Sequence, residues 1–156
     1  MYVELHASSA FSFLRASSLP EDLVARAAEL GYPALALLDR DGVPGAPRFF
    51  KAAKAAGIRP LVGAELSLHA GGALPVLVES RMGYQNLCQL VTRMKAGVSK
   101  GQGRLDLDAI APEDVSGLVA LPGLETMGRT PDTDRLAAIL SACCRTSVSW
   151  TCHKRS

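Results

Sequence analysis

Three short segments within the first 65 residues each set one side chain that can bind a metal or a phosphate beside a short apolar run. These side chains are His6, Asp39 and Glu65, and helix-like segments separate them. Imidazole and carboxylate groups that converge from separate strand ends are common ligands of clustered divalent metals. Because the carboxyl ends of parallel strands meet at one face of an α/β fold, we expect the three side chains to lie near one another.

The elements that must position these side chains alternate between strand-like and helix-like runs, which predicts βα units and a parallel sheet. Pro20 suits a first helical turn and marks the clearest helix start, with Ser17 or Ser18 as its cap. The glycine pair at 71–72 predicts a turn into an antiparallel hairpin arm. Residues 105–110 are ambiguous, and one helical turn is the interpretation we favour. The predicted strands are 2–5, 34–38, 59–68, 74–79 and 117–121, and the predicted helices are 20–30, 46–56, 84–95 and one that begins at 133.

The three motifs, at residues 4–14, 36–42 and 61–65, resemble the start of the PHP (polymerase and histidinol phosphatase) domain. The wording of 11–15, 20–27 and 83–87 is similar to the PHP domain that opens bacterial C-family DNA polymerases, especially the error-prone branch. The resemblance implies an α/β fold, a distorted (β/α) barrel of seven units, of which this chain supplies roughly the first half.

The resemblance implies a set of metal ligands: in active PHP domains the first motif reads His-x-His, the second reads Asp-His, and a glutamate follows the third strand. Together with later residues they hold divalent metals that activate water against phosphoesters. Here Ser8 replaces the second histidine, and Arg40 replaces the histidine of the second motif. A serine hydroxyl is a poor metal ligand, and a permanent guanidinium charge repels a dication. We therefore expect a degenerate PHP site made of His6, Ser8, Asp39, Arg40 and Glu65.

This expected site has no catalytic residue, and no cofactor is expected for this chain, although His6, Asp39 and Glu65 remain candidates for residual metal binding. Arg40 has two interpretations: it forms ion pairs with Asp39 and Asp41 where metals would have been, or it is a solvated loop residue. His6 alone is more typical of a hydrogen-bonded core or rim histidine than of a ligand, and Glu65 is equally consistent with a solvated or paired strand-end acid.

Serine is frequent around the first motif, at positions 8, 9, 12, 17 and 18, which raises the question of a nucleophile or a phosphate cradle. However, the chain has no Gly-x-Ser-x-Gly elbow and no glycine loop of the P-loop type. We therefore assign these serines no chemistry.

Composition adds limits rather than a function. With 48% hydrophobic and 21% charged residues, 156 residues fit one globular domain. The net charge of +2 comes from residues 142–156, because the rest holds 14 basic residues against 15 acidic ones. Contact with DNA would therefore be local. The candidates for such contact are Arg93, Lys95, Lys100 and Arg104.

The end of the chain differs from the rest, so we predict a partial PHP domain at 1–141 and an aberrant or poorly ordered tail at 142–156. The tail has no acid and carries Cys143, Cys144 and Cys152, three of the four cysteines. Their spacing is not that of a zinc site. A frameshift in a longer polymerase gene is our hypothesis, and a divergent but genuine C-terminus is the alternative.

The predicted function is that of a PHP-domain fragment from the N-terminus of an error-prone DNA polymerase, without polymerase activity of its own. The resemblance implies a parent nucleotidyltransferase that uses a divalent metal in damage-induced, mutagenic DNA repair synthesis. Its partners would be the remaining polymerase domains and, through them, DNA. The alternatives are a stand-alone PHP metal-dependent phosphoesterase and a non-catalytic interaction module. No apolar run reaches the roughly 18 residues of a membrane span and no signal peptide is readable, so we expect a cytoplasmic protein.

Overall fold

The computed structural model describes residues 2–99, 101–123, 126 and 133–143. The strands are β1 (Glu4–Ala7), β2 (Ala34–Arg40), β3 (Arg59–Ser67), β4 (Ala73–Val78) and β5 (Leu118–Ala120). The helices within these ranges are α1 (Pro20–Glu29), α2 (Ala46–Ala55), α3 (Arg81–Lys95) and α4 (Thr133–Cys143), with a 3-10 turn at Pro112–Val115.

One five-stranded sheet, in the order β1-β2-β3-β4-β5, organises the fold. The first three strands are parallel, and β4 is antiparallel to both of its neighbours. The predicted hairpin between β3 and β4 is confirmed, and its tip uses Gly71 and Gly72 at φ values of 98° and 75°, which other residues rarely adopt. The α/β prediction is therefore confirmed.

The helices described above cover the same face of this sheet. α1 and α2 pack over Leu35 and Leu37 of β2, with Phe49 fully buried between them. α3 packs over β3, β4 and β5, where Leu87 and Leu118 are fully buried. Register partners share a face, and Leu37 pairs with Val62 in β3. The alternate residues of β2 and β3 therefore point to the opposite face, towards the interior of a barrel.

Two helix starts differ from prediction because tertiary and local contacts set them. α1 is capped at Leu19 rather than at Ser17 or Ser18, since the carboxylate of Asp22 accepts a hydrogen bond from the Leu19 N–H at 3.3 Å. α3 begins three residues early, at Arg81, with the Ser80 hydroxyl accepting from a backbone N–H of its first turn.

Strand bounds and the ambiguous segment also differ. β1 lies two residues further along the chain than predicted, and β2 continues two residues past Leu38. His6 and Arg40 therefore lie within strands and not in the loops that follow them. The ambiguous segment 105–110 is not a helix: Leu105 forms a parallel bridge with Leu68, a hydrogen-bonded turn follows in which the Ala109 N–H donates to the Asp106 carbonyl, and the 3-10 turn comes later.

The predicted tail is described only at its start. α4 continues through Ala142 and Cys143, two residues past the predicted boundary, and Cys143 is buried in the core. The rest of that segment, 144–156, and the DNA-contact candidate Lys100 lie outside the described residues. Among the helices that are described, none has the length and apolar character needed to cross a membrane.

Candidate functional site

The carboxyl ends of β1, β2 and β3 lie at one edge of the sheet and bring together side chains that are distant in sequence. His6 is the penultimate residue of β1, and its Nε2 lies 2.8 Å from Oε2 of Glu65 on β3. Arg40, the last residue of β2, is the register partner of Glu65. The prediction that strand ends gather these residues is confirmed for His6 and Glu65, which are 59 positions apart.

Glu65 is the centre of this group. Arg40 donates from Nη1 to Oε1 of Glu65, and Arg15 approaches the same oxygen at 3.4 Å. His6 occupies the other oxygen. The Glu65 side chain is only 15% exposed, so its charge has little water around it. Both carboxylate oxygens are therefore committed to basic side chains.

Arg40 is held on a second side as well. Its Nε donates to the Ser67 hydroxyl at 2.8 Å and lies 3.7 Å from a carboxylate oxygen of Asp41. Asp41 accepts from both the backbone N–H and the hydroxyl of Ser67, each at 2.7 Å. Of the two interpretations of Arg40, the structure agrees with ion pairing. Its partners are Glu65 and Asp41, and the predicted pair with Asp39 does not form.

Asp39 lies on the other side of β2, because consecutive strand residues point to opposite faces. It is 1% exposed and accepts hydrogen bonds from three donors that sequence reasoning missed. The Ser9 N–H donates at 2.9 Å, the Ser9 hydroxyl lies 2.8 and 3.0 Å from the two oxygens, and the Ser12 hydroxyl donates at 2.9 Å. These donors stabilise a buried charge that has no cationic partner among the described contacts.

The serines of the first motif tie β1 to β2. The Ser12 hydroxyl also accepts from the Arg40 N–H at 3.0 Å, and the Ser8 hydroxyl donates to the Leu38 carbonyl at 3.0 Å. Ser9 and Ser12 are buried, so no solvent-facing nucleophile results. The sequence did contain a signal for these contacts: several serines follow β1, and an aspartate lies near the end of β2.

Gly45, immediately before α2, lets this buried carboxylate sit beneath the helix. A Cβ at Gly45 would lie 2.5 Å from Oδ2 of Asp39, 3.0 Å from the Ser9 hydroxyl and 3.2 Å from Leu37. The start of a helix carries partial positive charge, which favours a carboxylate at this position. The absence of a side chain at Gly45 is therefore part of how the charge of Asp39 is accommodated.

Of the residues considered for DNA contact, Arg93 and Arg104 have partners within the fold, and DNA contact stays a prediction. Arg93 is paired with Asp114 at 2.5 Å, and Arg104 donates to the carbonyls of Gly101 and Gly103. Arg93 and Arg104 line a small cavity of about 120 Å³, whereas Lys95 lines a different, larger one. The pKa of Asp114 is lowered mainly by the hydrogen bond from Arg93 and, to a smaller extent, by the hydrogen bond from the Ala111 N–H.

Metal ligation needs several free donors in one place. Among the residues that the structure describes, no group of three or more His, Cys, Asp or Glu side chains is arranged to hold a metal ion. The nearest approach to such a group is His6 with Glu65, whose carboxylate also binds Arg40 and Arg15.

Comparison with known proteins gives consistent matches. The family model described as PHP domain matches residues 4–134. An error-prone DNA polymerase of Xanthomonas axonopodis pv. citri is 46% identical over 105 residues, which is 67% of this chain and 10% of that protein. An error-prone DNA polymerase of Pseudomonas paraeruginosa is 40% identical over 142 residues, which is 91% of this chain and 13% of that protein. The chain thus spans about a tenth of the length of the curated relatives it matches.

The solved structures add only a distant likeness. An amidohydrolase from Chromobacterium violaceum matches with a TM-score of 0.49 and 24% sequence identity, covering 61% of this chain and 34% of that one. A likeness at this level supports no assignment of activity.

Proposed function

Because the chain belongs to the PHP domain family, we propose that it is the PHP region of an error-prone DNA polymerase and that its metal site is degenerate. The sheet described above is a partial PHP-type (β/α) barrel. In this proposal the chain performs no chemistry. It forms the N-terminal part of the parent and supports the neighbouring polymerase domains.

The observation that carries the proposal is the guanidinium of Arg40 bound to Glu65 at the strand ends. A divalent metal at this edge would need lone pairs that are already committed to His6, Arg40 and Arg15. It would also meet the positive charge of the Arg40 guanidinium. The residues present therefore do not fit a PHP metal cluster.

Asp39 supports the same conclusion from the other face of β2. Its two oxygens accept from Ser9 and Ser12 and are shut off from solvent. A carboxylate in that state could bind a metal only after it had given up these hydrogen bonds and the packing under Gly45. Asp39 in this structure connects the first motif to β2, which is a structural role.

We infer the activity of the parent protein from the relatives that this chain resembles. Error-prone DNA polymerases are nucleotidyltransferases, and we place the parent in cytoplasmic DNA repair synthesis after DNA damage, with a divalent metal at its own catalytic centre. The partners of this chain are then the remaining polymerase domains, which bring it to DNA.

The first test replaces the matching region of the Xanthomonas axonopodis polymerase with this chain and measures primer extension. We expect the chimera to extend a primer, whereas the same polymerase with the region deleted should be insoluble or inactive. A chimera that is soluble and correctly folded but has no activity would contradict the proposed role.

The second test addresses the degenerate site. Calorimetry of the chain with ZnCl₂ or MnCl₂ should show no tight binding, and a phosphoester such as p-nitrophenyl phosphate should not be hydrolysed. Micromolar binding or hydrolysis that disappears in both His6→Ala and Glu65→Ala would instead establish a metal-dependent phosphoesterase. The double variant Ser8→His with Arg40→His asks whether the missing ligands alone restore binding.

A further inference from the structure

A cavity of about 770 Å³ opens beside the Arg40–Glu65 pair, a volume within the range of pockets that bind small ligands, about 300–1,000 Å³. One wall is the loop that follows β1, and the opposite wall is the segment that follows α3. The lining residues that matter here are Phe11, Phe13, Arg15, Arg40, Asp41 and Lys95.

The charge of this cavity is mainly positive. Three of the four charged side chains that line it among the described residues are cations, and the fourth, Asp41, is held by Ser67. Arg15 is 58% exposed and reaches Glu65 only at 3.4 Å, so its guanidinium retains donors for a ligand. Lys95 is exposed, and its ammonium group lies close to Gly42. Arg15 and Lys95 are thus available to an anion.

An aromatic side chain stands beside these cations. Phe13 is 83% exposed although it lines the cavity, whereas Phe11 is 40% exposed and has the Arg48 guanidinium 5.9 Å from its ring centre. The ring of Phe13 is therefore open to a partner from solution.

The loop that presents Phe13 is held by local contacts. The Ser12 carbonyl accepts from the N–H groups of Arg15 and Ala16, at 2.9 and 3.3 Å, and the Ser12 hydroxyl is anchored on Asp39. Leu14 has a φ of 61°, a conformation that costs energy for a leucine and persists only where neighbours enforce it. Phe13 is thus displayed by a fixed turn.

We propose that this cavity binds single-stranded DNA, with a base stacked on Phe13 and the adjoining phosphate between Arg15 and Lys95. An aromatic platform beside cations is the arrangement with which proteins hold single strands, because every base has a face to stack. Duplex DNA offers no unstacked base, and an acidic peptide would use the cations but leave Phe13 unused. The choice of DNA as the strand rests on the proposed function, whereas the pairing of ring and cations does not.

The test is fluorescence anisotropy of a labelled oligo(dT) of about ten nucleotides with the purified chain at several salt concentrations. We expect Phe13→Ala to weaken binding about tenfold and Phe13→Trp to preserve it. Arg15→Gln and Lys95→Gln should each weaken binding and each lower the slope of log Kd against log salt by about one. The matched control is Phe50→Ala with Lys54→Gln, an exposed aromatic–cation pair on α2 that lies outside this cavity and should not affect binding.

Equal affinity for a duplex of the same length, or an affinity unchanged by Phe13→Ala, would overturn the inference. Thymidine nucleotides that bind as tightly as the oligonucleotide would assign the cavity to a free nucleotide and also overturn it. The polymerase chimera separates the two proposals. A chain that restores primer extension but does not bind oligo(dT) contradicts only this inference, and the reverse result contradicts only the proposed function.

Discussion

Arg40 and Glu65 are opposite one another in the register of β2 and β3, and the guanidinium of the first donates to the carboxylate of the second. Side chains that pair across parallel strands share a face of the sheet, so this ion pair is set by strand register and not by a flexible loop. The two side chains are only 22% and 15% exposed, so the loss of either partner would leave the other charge poorly hydrated.

Substitution of Arg40 by Ala should destabilise the protein by about 1–3 kcal/mol, because Glu65 and Ser67 lose a partner at a poorly hydrated edge. Chemical denaturation followed by circular dichroism measures this. The matched control is Arg26→Ala, which removes an exposed ion pair with Glu29 and should change stability by less than about 0.5 kcal/mol. Equal effects of the two substitutions would show that the Arg40 pair contributes nothing special.

Substitution of Ser12 by Ala should cost about 1–3 kcal/mol, because it removes a donor to the buried carboxylate of Asp39 and an acceptor for the Arg40 N–H. Ser17→Ala, an exposed serine in the same loop, is the control and should be close to neutral. Thermal melts of both variants decide the matter. A Ser12 variant as stable as the Ser17 variant would mean that Asp39 finds other donors.

A methyl group at Gly45 should destabilise the protein by about 1–3 kcal/mol, since it would press on Asp39, Ser9 and Leu37. The backbone at Gly45 is right-handed, so the effect would report crowding alone. Gly123→Ala has open space around the added carbon and no left-handed backbone, and it should be nearly neutral. If the urea midpoints of the two variants agree, the crowding at Gly45 is relieved by movement of α2.

Asp114 should contribute to stability in a pH-dependent way. Its pKa in the folded state is lowered, chiefly by the hydrogen bond from Arg93, so its contribution is complete above the unfolded pKa of about 3.9. That contribution is lost as the pH falls through the lower, folded pKa. Urea midpoints measured from pH 5 down to pH 2.5 should therefore fall more steeply for the wild type than for Asp114→Asn.

Arg93→Gln is the partner test for the same pair. It should flatten the acid limb as Asp114→Asn does, because the group that lowers the carboxylate pKa has been removed. Parallel acid limbs for the wild type and both variants would contradict the linkage.

The positions of His6, Arg40 and Glu65 could be predicted because they depend on strand order, and strand order follows from the alternation of apolar runs and helices. Of the partners of Arg40, Asp41 could be predicted from the sequence and Glu65 could not. Asp39 and Asp41 are its neighbours in sequence, but the alternation of side chains along a strand sends Asp39 to the opposite face, where Ser9 and Ser12 meet it.

The predictions of the helix starts and of the role of the serines were wrong for a related reason. A serine before a proline satisfies the pattern of a helix cap, yet the α1 cap depends on a hydrogen bond from Leu19 to Asp22, which is a matter of local backbone geometry. The hydroxyls of Ser9 and Ser12 meet Asp39 across 27 to 30 positions of chain. Contacts between segments of that separation leave no periodic trace in a single sequence.

The positive charge beside Glu65 belongs to a side chain of the protein itself, which has a consequence for stability. A bound metal ion exchanges with its surroundings, so a domain that relies on one becomes less stable when the metal is scarce or sequestered. Arg40 is part of the chain and is present at one equivalent under every condition. In the proposed degenerate site, the positive charge at this end of the sheet is therefore not removed by a chelator, as a bound metal ion would be.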